Sequence, residues 1–304
     1  MMRIFYWNFL LVLFAGIFGW SCNNDDNGPG DKYNKGTIYI SCDESFKPVI
    51  DEQVKVYLAD KPDAKIIVHY KPEAECLKDL FNDTIRMVIA TRGYSIAEQN
   101  KMFDSIKISG EKLTVARDAI AVIVHPANPE TDFTLPEIRD MVQGKLKKNL
   151  IPVFDGLRET STVRFMIDSV LRGESLGSNV VAAQNSLGVI DFVSKSPNAV
   201  GFIGVSWVGS QVDTAGQTVG KVKIARLLST DSANAYVLPV QYLIYTKSYP
   251  MIRDLVYVLK EQHYGLGKGF ANFLKSERGQ LVFRRAYLQP AIHKFYVRNA
   301  ELEE

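Results

Sequence analysis

An α/β fold with a mostly parallel sheet is what this sequence predicts, on three observations. From residue 37 onward, short β-branched or apolar runs alternate with segments of helical period. Polar turns rich in Ser, Thr and Asp join several of these strands to the helix that follows. The composition, 46% hydrophobic and 23% charged over 304 residues, is that of a globular chain long enough for two domains or one two-lobed unit.

The elements follow in order. Thr37 to Ser41 alternates and is β-branched, which predicts a first strand. Ser45, with Pro48 behind it, predicts a capped helix to about Ala59, with Val49, Ile50, Val54, Tyr57 and Leu58 on one face. Lys65 to Tyr70 is the second strand, and Pro72 opens a helix to about Phe81. Met87 to Ala90 is a third, buried strand, followed by a helix from Ser95 to about Met102. This order implies parallel strands with helices on both faces. Ala119 to His125 and Ile151 to Phe154 are strands, and Leu135 to Gly144 and Ser161 to Arg172 are helices. Ser186 to Ser194 reads as helix and Ala199 to Gly204 as strand. Lys221 to Leu228 and Val237 to Tyr245 are expected to be strands. Ile252 to Glu261, Gly269 to Leu274 and Gly279 to Ala286 are expected to be helices.

The N-terminus has a different character. Arg3 precedes an almost wholly apolar run from Ile4 to Trp20, then Ser21-Cys22 and a polar stretch. This is the pattern of a secretory signal over residues 1–21. The cysteine directly after the apolar core resembles the lipobox of bacterial lipoproteins, although Gly19 stands where Leu is usual. Cys22 would then carry a diacylglycerol and a further acyl chain such as palmitate. Each buried methylene adds roughly 0.8 kcal/mol of membrane affinity. Residues 22–36 read as the lipidated cysteine and a flexible tether. Such a protein would sit in the periplasm or on the cell surface, held to the membrane at Cys22. No stretch of the remainder reaches about 18 uninterrupted apolar residues, so no membrane span is expected there.

Several classes of chemistry have no residues behind them. The net charge is +2, from 36 basic and 34 acidic residues without a like-charged block, which gives no reason to expect nucleic acid. The four His are not paired at ligand spacing, and no metal or cofactor is expected. No nucleophile comes with a base, so the chain reads as not an enzyme. Gly265-x-Gly267-x-Gly269 lacks a preceding strand and reads as a loop between helices. Cys42 and Cys76 are expected at the ends of neighbouring strands, as two thiols or as a disulfide.

Polar residues gather in the strand-to-helix turns. Asp43-Glu44-Ser45, Tyr70-Lys71-Pro72-Glu73 and Asp155 to Thr162 each put hydroxyls or charges just before a helix. In a parallel α/β sheet such turns share the carboxyl edge, where ligands bind. Helix N-termini bring free N–H groups to that edge, so converging Ser, Thr and Arg make an anion site; each taken alone is a helix cap.

Four blocks resemble the phosphate-binding, PstS-like branch of the type 2 periplasmic binding proteins, and the chain looks closest to the lipoproteins of Bacteroidota. They are Ala119 to His125 with Asn128, then Leu135 to Lys145; Val153 to Gly156 ending in Thr160-Ser161-Thr162; Asn185 to Phe202; and Glu277 to Pro290. The resemblance covers most of residues 37–290. It implies two α/β lobes joined by crossing strands, residues 37–119 with 238–304 and residues 120–237, closing on a ligand between them. It also implies a monomer that captures phosphate or a similar oxyanion and hands it to an ABC permease in the inner membrane. The alternative is a surface interaction or sensor protein that keeps the fold without transport. Carried over by position, Ser45, the turn holding Lys71 and Glu73, Thr91 with Arg92, and Thr160, Ser161 and Thr162 become the oxyanion ligands, with Arg158 nearby. Two positions depart from the family. Arg92 stands where an Asp usually accepts the ligand's proton, and Phe154 stands where an Arg precedes Asp-Gly. Glu73, Asp43 or Asp155 would replace the acceptor. Phosphate, sulfate and organic phosphate therefore all remain open as ligands.

Overall fold

The computed structural model describes residues 30–157, 159–209 and 220–292. The predicted signal segment, Cys22, most of the tether, Arg158 and residues 293–304 lie outside them. The first half of the chain supplies strands β1 (Gly36–Asp43), β2 (Ala64–Lys71), β3 (Ile85–Ala90), β4 (Glu111–Val124), β5 (Asp132–Phe133) and β6 (Ile151–Phe154). The second half supplies β7 (Val181–Ala182), β8 (Ala199–Gly204), β9 (Lys223–Ile224), β10 (Arg226–Leu228), β11 (Tyr236–Val237), β12 (Ile252–Leu259) and β13 (Gln289–Pro290). The helices up to the middle of the chain are α1 (Lys47–Leu58), α2 (Glu73–Lys78), α3 (Ile96–Ile106), α4 (Leu135–Val142) and α5 (Ser161–Phe165). They are followed by α6 (Ser186–Lys195), α7 (Gln241–Tyr245), α8 (Leu266–Lys275) and α9 (Glu277–Arg285).

Ten of these strands form one mixed sheet in the order β2-β1-β3-β12-β4-β8-β6-β7, with β9 and β13 also paired to β4. β1 pairs in parallel with both β2 and β3, as the alternation of strands and helices predicts. β4 runs through both halves of the sheet. Its first part, to Ala119, pairs with β12, and Ile120 to Val124 pairs with β8. Apolar residues on both faces are buried, because helices cover both. Ile38, Ile40, Met87 and Ile89 pack into the cluster that holds Val49 and Ile50 of α1 and Phe270 of α8. Val88 and Ala90 face the other way, against Cys76 and Leu77 of α2. Beyond β4, Val189 and Val193 of α6 pack on Ile123 and Val153.

Local signals account for the boundaries. Ser95 and Glu98 form a reciprocal capping box on α3, and Thr134 and Glu137 form one on α4. Asp43, not Ser45, caps the first helical turn after β1, accepting a bond from Ser45 N at 3.0 Å. Cys76 lies inside α2, not at a strand end, and both Cys42 and Cys76 are buried free thiols. Burial pushes the Cys76 thiol up to about 12.

Three expected elements differ in the structure. The segment from Ile252, expected as a helix, is the central strand β12, antiparallel to β3 and β4. Its IRDLVYVL sequence is apolar on both sides because both faces are covered, and such a run carries no period that separates strand from helix. Val237 to Tyr245, expected as a strand, gives only the short β11 and then α7, which starts after Pro239. The strand expected from Lys221 breaks at Ala225. β9 stays with β4, while β10 joins β5 and β11 in a small separate sheet.

Candidate functional site

The carboxyl ends of β1, β2 and β3 share one edge, and β6, which with β8 runs the opposite way, turns its carboxyl end back towards them at the middle of β4. Because β12 is antiparallel to β3, its first residues reach the same edge. Ser45 follows β1, Glu73 follows β2, Thr91 follows β3, Asp155 to Thr162 follow β6, and Arg253 is the second residue of β12. The sequence places three helix starts there, and the strand order adds a guanidinium.

The centre is a buried group of hydroxyls around that guanidinium. Ser45 Oγ and Ser161 Oγ are 3.2 Å apart, although 116 residues separate them in the chain. Arg253 donates from Nη1 to Ser161 Oγ at 2.8 Å and to Thr162 Oγ1 at 3.4 Å. From Nε it donates to Asp118 Oδ2 at 2.8 Å. Arg253 and Asp118 face each other in the β12–β4 ladder and are 5% and 0% exposed. Gly204 lets this pair sit deep, since a Cβ there would meet Arg253 Nη2 at 2.9 Å and Asp118 Oδ2 at 3.1 Å. Thr160 and Thr162 donate to the two oxygens of Asp155, at 2.9 and 3.2 Å, and Thr160 also caps α5. Trp207 Nε1 donates to Ser45 O at 2.9 Å.

Two carboxyls in this group hold their protons unusually well. Burial pushes Asp43 up to about 6 against the pull of Arg253, and its Oδ2 is buried without a hydrogen-bond partner. Burial likewise raises Asp155 to about 6, opposed by its bond from Thr160. The Arg253 guanidinium is disfavoured by burial, but Asp118 and Asp43 outweigh that and leave it held above its usual range. The group therefore offers hydroxyl donors, one fixed cation and two carboxyls able to change protonation near neutral pH. That inventory suits an oxyanion, through bonds to oxygen rather than through net positive charge.

A second group adjoins it. Arg164 Nε donates to Glu73 Oε2 at 2.5 Å and its Nη2 to Thr91 Oγ1 at 2.5 Å. Thr91 N donates to Glu73 Oε1 at 2.9 Å. Burial opposes ionisation of Glu73, but Arg164 and Thr91 overcome it and hold the carboxyl below its usual range. Ala74 N also donates to Glu159 O at 3.0 Å, and Ser186 Oγ to Glu44 Oε2 at 2.8 Å. These bonds tie elements from before β4 to elements from after it.

Of the residues singled out from sequence, Ser45, Thr160, Ser161 and Thr162 come together at the centre, and Glu73 and Thr91 beside it. Arg92 does not join them. It makes a bidentate ion pair with Glu98 at 2.8 and 2.9 Å, because Glu98 already lies in the first turn of α3 to complete its cap. Lys71 turns to Asp79 at 2.7 Å. Sequence reasoning missed Arg253 and Asp118. Their signal was a charge embedded in each of two apolar runs, which in a covered sheet has to be paired.

Asp31, Glu261 and His263 bring ligand atoms within 4.8 Å of one another. The carboxylates are engaged as a cap on α8. Glu261 accepts from the N–H groups of Gly265, Gly267 and Lys268, and Asp31 accepts from Leu266. This also explains the glycine-rich run, since a Cβ on Gly265 or Gly267 would collide with these carboxylates. Among the described residues no helix is long and apolar enough to cross a membrane.

Comparison with known proteins agrees with this architecture. Similar solved structures include a protein assigned as a phosphate ABC transporter substrate-binding protein of Clostridium perfringens, solved with bound phosphate. It is 23% identical at a TM-score of 0.70, over 84% of this chain and 100% of that one. An ABC-type phosphate transport receptor of Vibrio cholerae is 19% identical at a TM-score of 0.62, over 83% and 99%. A phosphate binding protein of Stenotrophomonas maltophilia is 11% identical at 0.59, over 84% and 91%. At these identities the likeness is one of fold. No curated protein matches the chain. The sequence profile of the PBP superfamily domain matches residues 27–278, and the chain belongs to that family, with the α/β fold that its solved neighbours share.

Proposed function

We propose that this chain is an extracytoplasmic solute-binding lipoprotein that captures phosphate and delivers it to an ABC permease. The observation that carries the reading is the buried convergence of Ser45, Ser161 and Thr162 on Arg253. Residues 37–119 with 238–304 form one lobe and 120–237 the other, and Ser45 and Ser161 reach the ligand from opposite lobes. Arg253 supplies the cation that Phe154 cannot. Asp43, with a buried and unpartnered Oδ2, accepts the ligand's proton and so rejects sulfate, which has none to give. Cys22 carries the lipid that keeps this monomeric receptor at the membrane. A Cys22→Ser chain is expected in the soluble fraction of cells, and its retention in the membrane would remove the anchor from the reading.

Calorimetry of the full chain with phosphate, sulfate and a sugar phosphate tests the ligand. One saturable site for phosphate at neutral pH, with little or no heat from sulfate, is the expected result. No heat from any of the three ends the transport reading.

A further inference from the structure

Two cavities meet at Arg164 beside the hydroxyl cluster. One, of about 580 Å³, has an apolar floor of Leu77, Phe81, Val163 and Ile167, and its charged rim sets three cations against four carboxylates. The other, of about 540 Å³, reaches Arg253 itself and sets four cations against one carboxylate. Arg164 and Arg253 belong to ion pairs already described. The outer cations are Arg117 and Lys247. Arg117 shares its charge with Asp254, the single carboxylate on this lining, at 3.6 Å. Lys247 is exposed and makes no ion pair among the described residues. Its backbone is in the left-handed region at φ 64°, which is strained for a side chain larger than glycine. Thr230 Oγ1 holds that conformation by donating to Lys247 O at 2.7 Å.

We propose that the second cavity is the mouth through which a tetrahedral oxyanion reaches the buried cluster, with Lys247 and Arg117 forming an outer docking station. This rests on the oxyanion reading above and adds a route and a kinetic role. A cleft lined by one sign of charge raises the local concentration of the opposite ion and speeds its arrival. The first cavity, with carboxylates in excess, repels an anion. The buried cluster offers hydroxyls and a guanidinium already shared with Asp118, so long-range attraction has to come from the rim. Lys247 is the rim charge least neutralised by a neighbour.

Stopped-flow association of inorganic phosphate with the full chain tests this. Trp207 is the only tryptophan beyond residue 20 and bonds to Ser45 O, so its fluorescence reports the site. Lys247→Glu is expected to slow association about tenfold at low salt and much less at high salt, with the dissociation rate unchanged. Lys247→Arg should keep the wild-type rate. Lys78→Glu, on the rim of the first cavity, should leave association as it is. An association rate indifferent to Lys247, a loss carried by dissociation, or an equal slowing by Lys78→Glu overturns the route and leaves phosphate binding intact. A wild-type chain that gives no signal with phosphate and no heat in calorimetry overturns both.

Discussion

Arg253 carries two roles that different substitutions separate. It neutralises the fully buried Asp118, and it presents Nη1 to the hydroxyls of Ser161 and Thr162. Arg253→Ala removes both, leaves a buried carboxylate unpaired and should destabilise the chain by about 3–5 kcal/mol, read as a lower denaturant midpoint. Ser161→Ala keeps the ion pair and loses only a hydroxyl. It should unfold within about 1 kcal/mol of wild type, yet bind phosphate roughly tenfold more weakly by calorimetry. Asp43 gives a pH signature. Its carboxyl, raised to about 6, is an acceptor above that pH and a donor below it. Sulfate affinity should therefore rise as pH falls through about 6, and Asp43→Asn should bring the same gain at neutral pH. For stability the sign is fixed by the raised values of Asp43 and Asp155. The folded state keeps their protons longer than the unfolded state does, so their contribution is greatest below the usual carboxylate range and is lost as pH rises through about 6. Urea titrations of the ligand-free chain at pH 4.5 and 7, with and without Asp43→Asn, measure it.

At the scale of elements, β8 and β12 decide the geometry. Gly204 ends β8 where Arg253 and Asp118 pass beneath it. Gly204→Ala should displace that pair at a cost of about 1–3 kcal/mol, seen as a lower melting temperature together with weaker phosphate binding. Element type also set how much of the site could be read in advance. Ser45, Ser161 and Thr162 follow short apolar runs that read as strands, so their position just beyond strand carboxyl ends was legible. Arg253 was not, because β12 is covered on both faces and its apolar run lacks period. With Ile252 to Glu261 taken as a helix, no argument could bring Arg253 to the edge beside β3. Asp118 was lost for another reason: β4 begins at Glu111, and the charges of its first half hide its strand character. Arg92 misled for a different reason. Its position after a buried strand suits an oxyanion ligand, but Glu98 of the next helix reaches it first.

For the whole molecule, the parallel order of β1 to β3 and the two-sided cover of the sheet followed from the alternation of strands and helices. The insertion of β12 between β3 and β4 is a long-range pairing that local patterns do not encode. The bonds between the proposed lobes are polar and include Ser45 to Ser161, Arg253 to Ser161 and Thr162, Arg164 to Glu73 and Thr91, Ala74 to Glu159, Ser186 to Glu44 and Trp207 to Ser45. Polar bonds, which water can replace, suit a joint that opens and closes about the β4 crossing. Arg164 is 38% exposed at its side chain but Glu73 only 2%, so Glu73→Gln weakens a half-buried charged hydrogen bond and should cost the closed form about 1–3 kcal/mol. That is enough to enlarge the ligand-free radius of gyration in solution scattering, with phosphate restoring the compact value.

The central claim is that Ser45, Ser161 and Arg253 converge to hold an oxyanion. A crystal structure of the full chain grown with phosphate tests it most directly. Phosphoryl oxygens are expected within about 3 Å of Ser45 Oγ, Ser161 Oγ and Arg253 Nη1, with a fourth against Asp43. Phosphate bound elsewhere, with the Ser45–Ser161 contact and the Arg253 bonds unchanged, would contradict it.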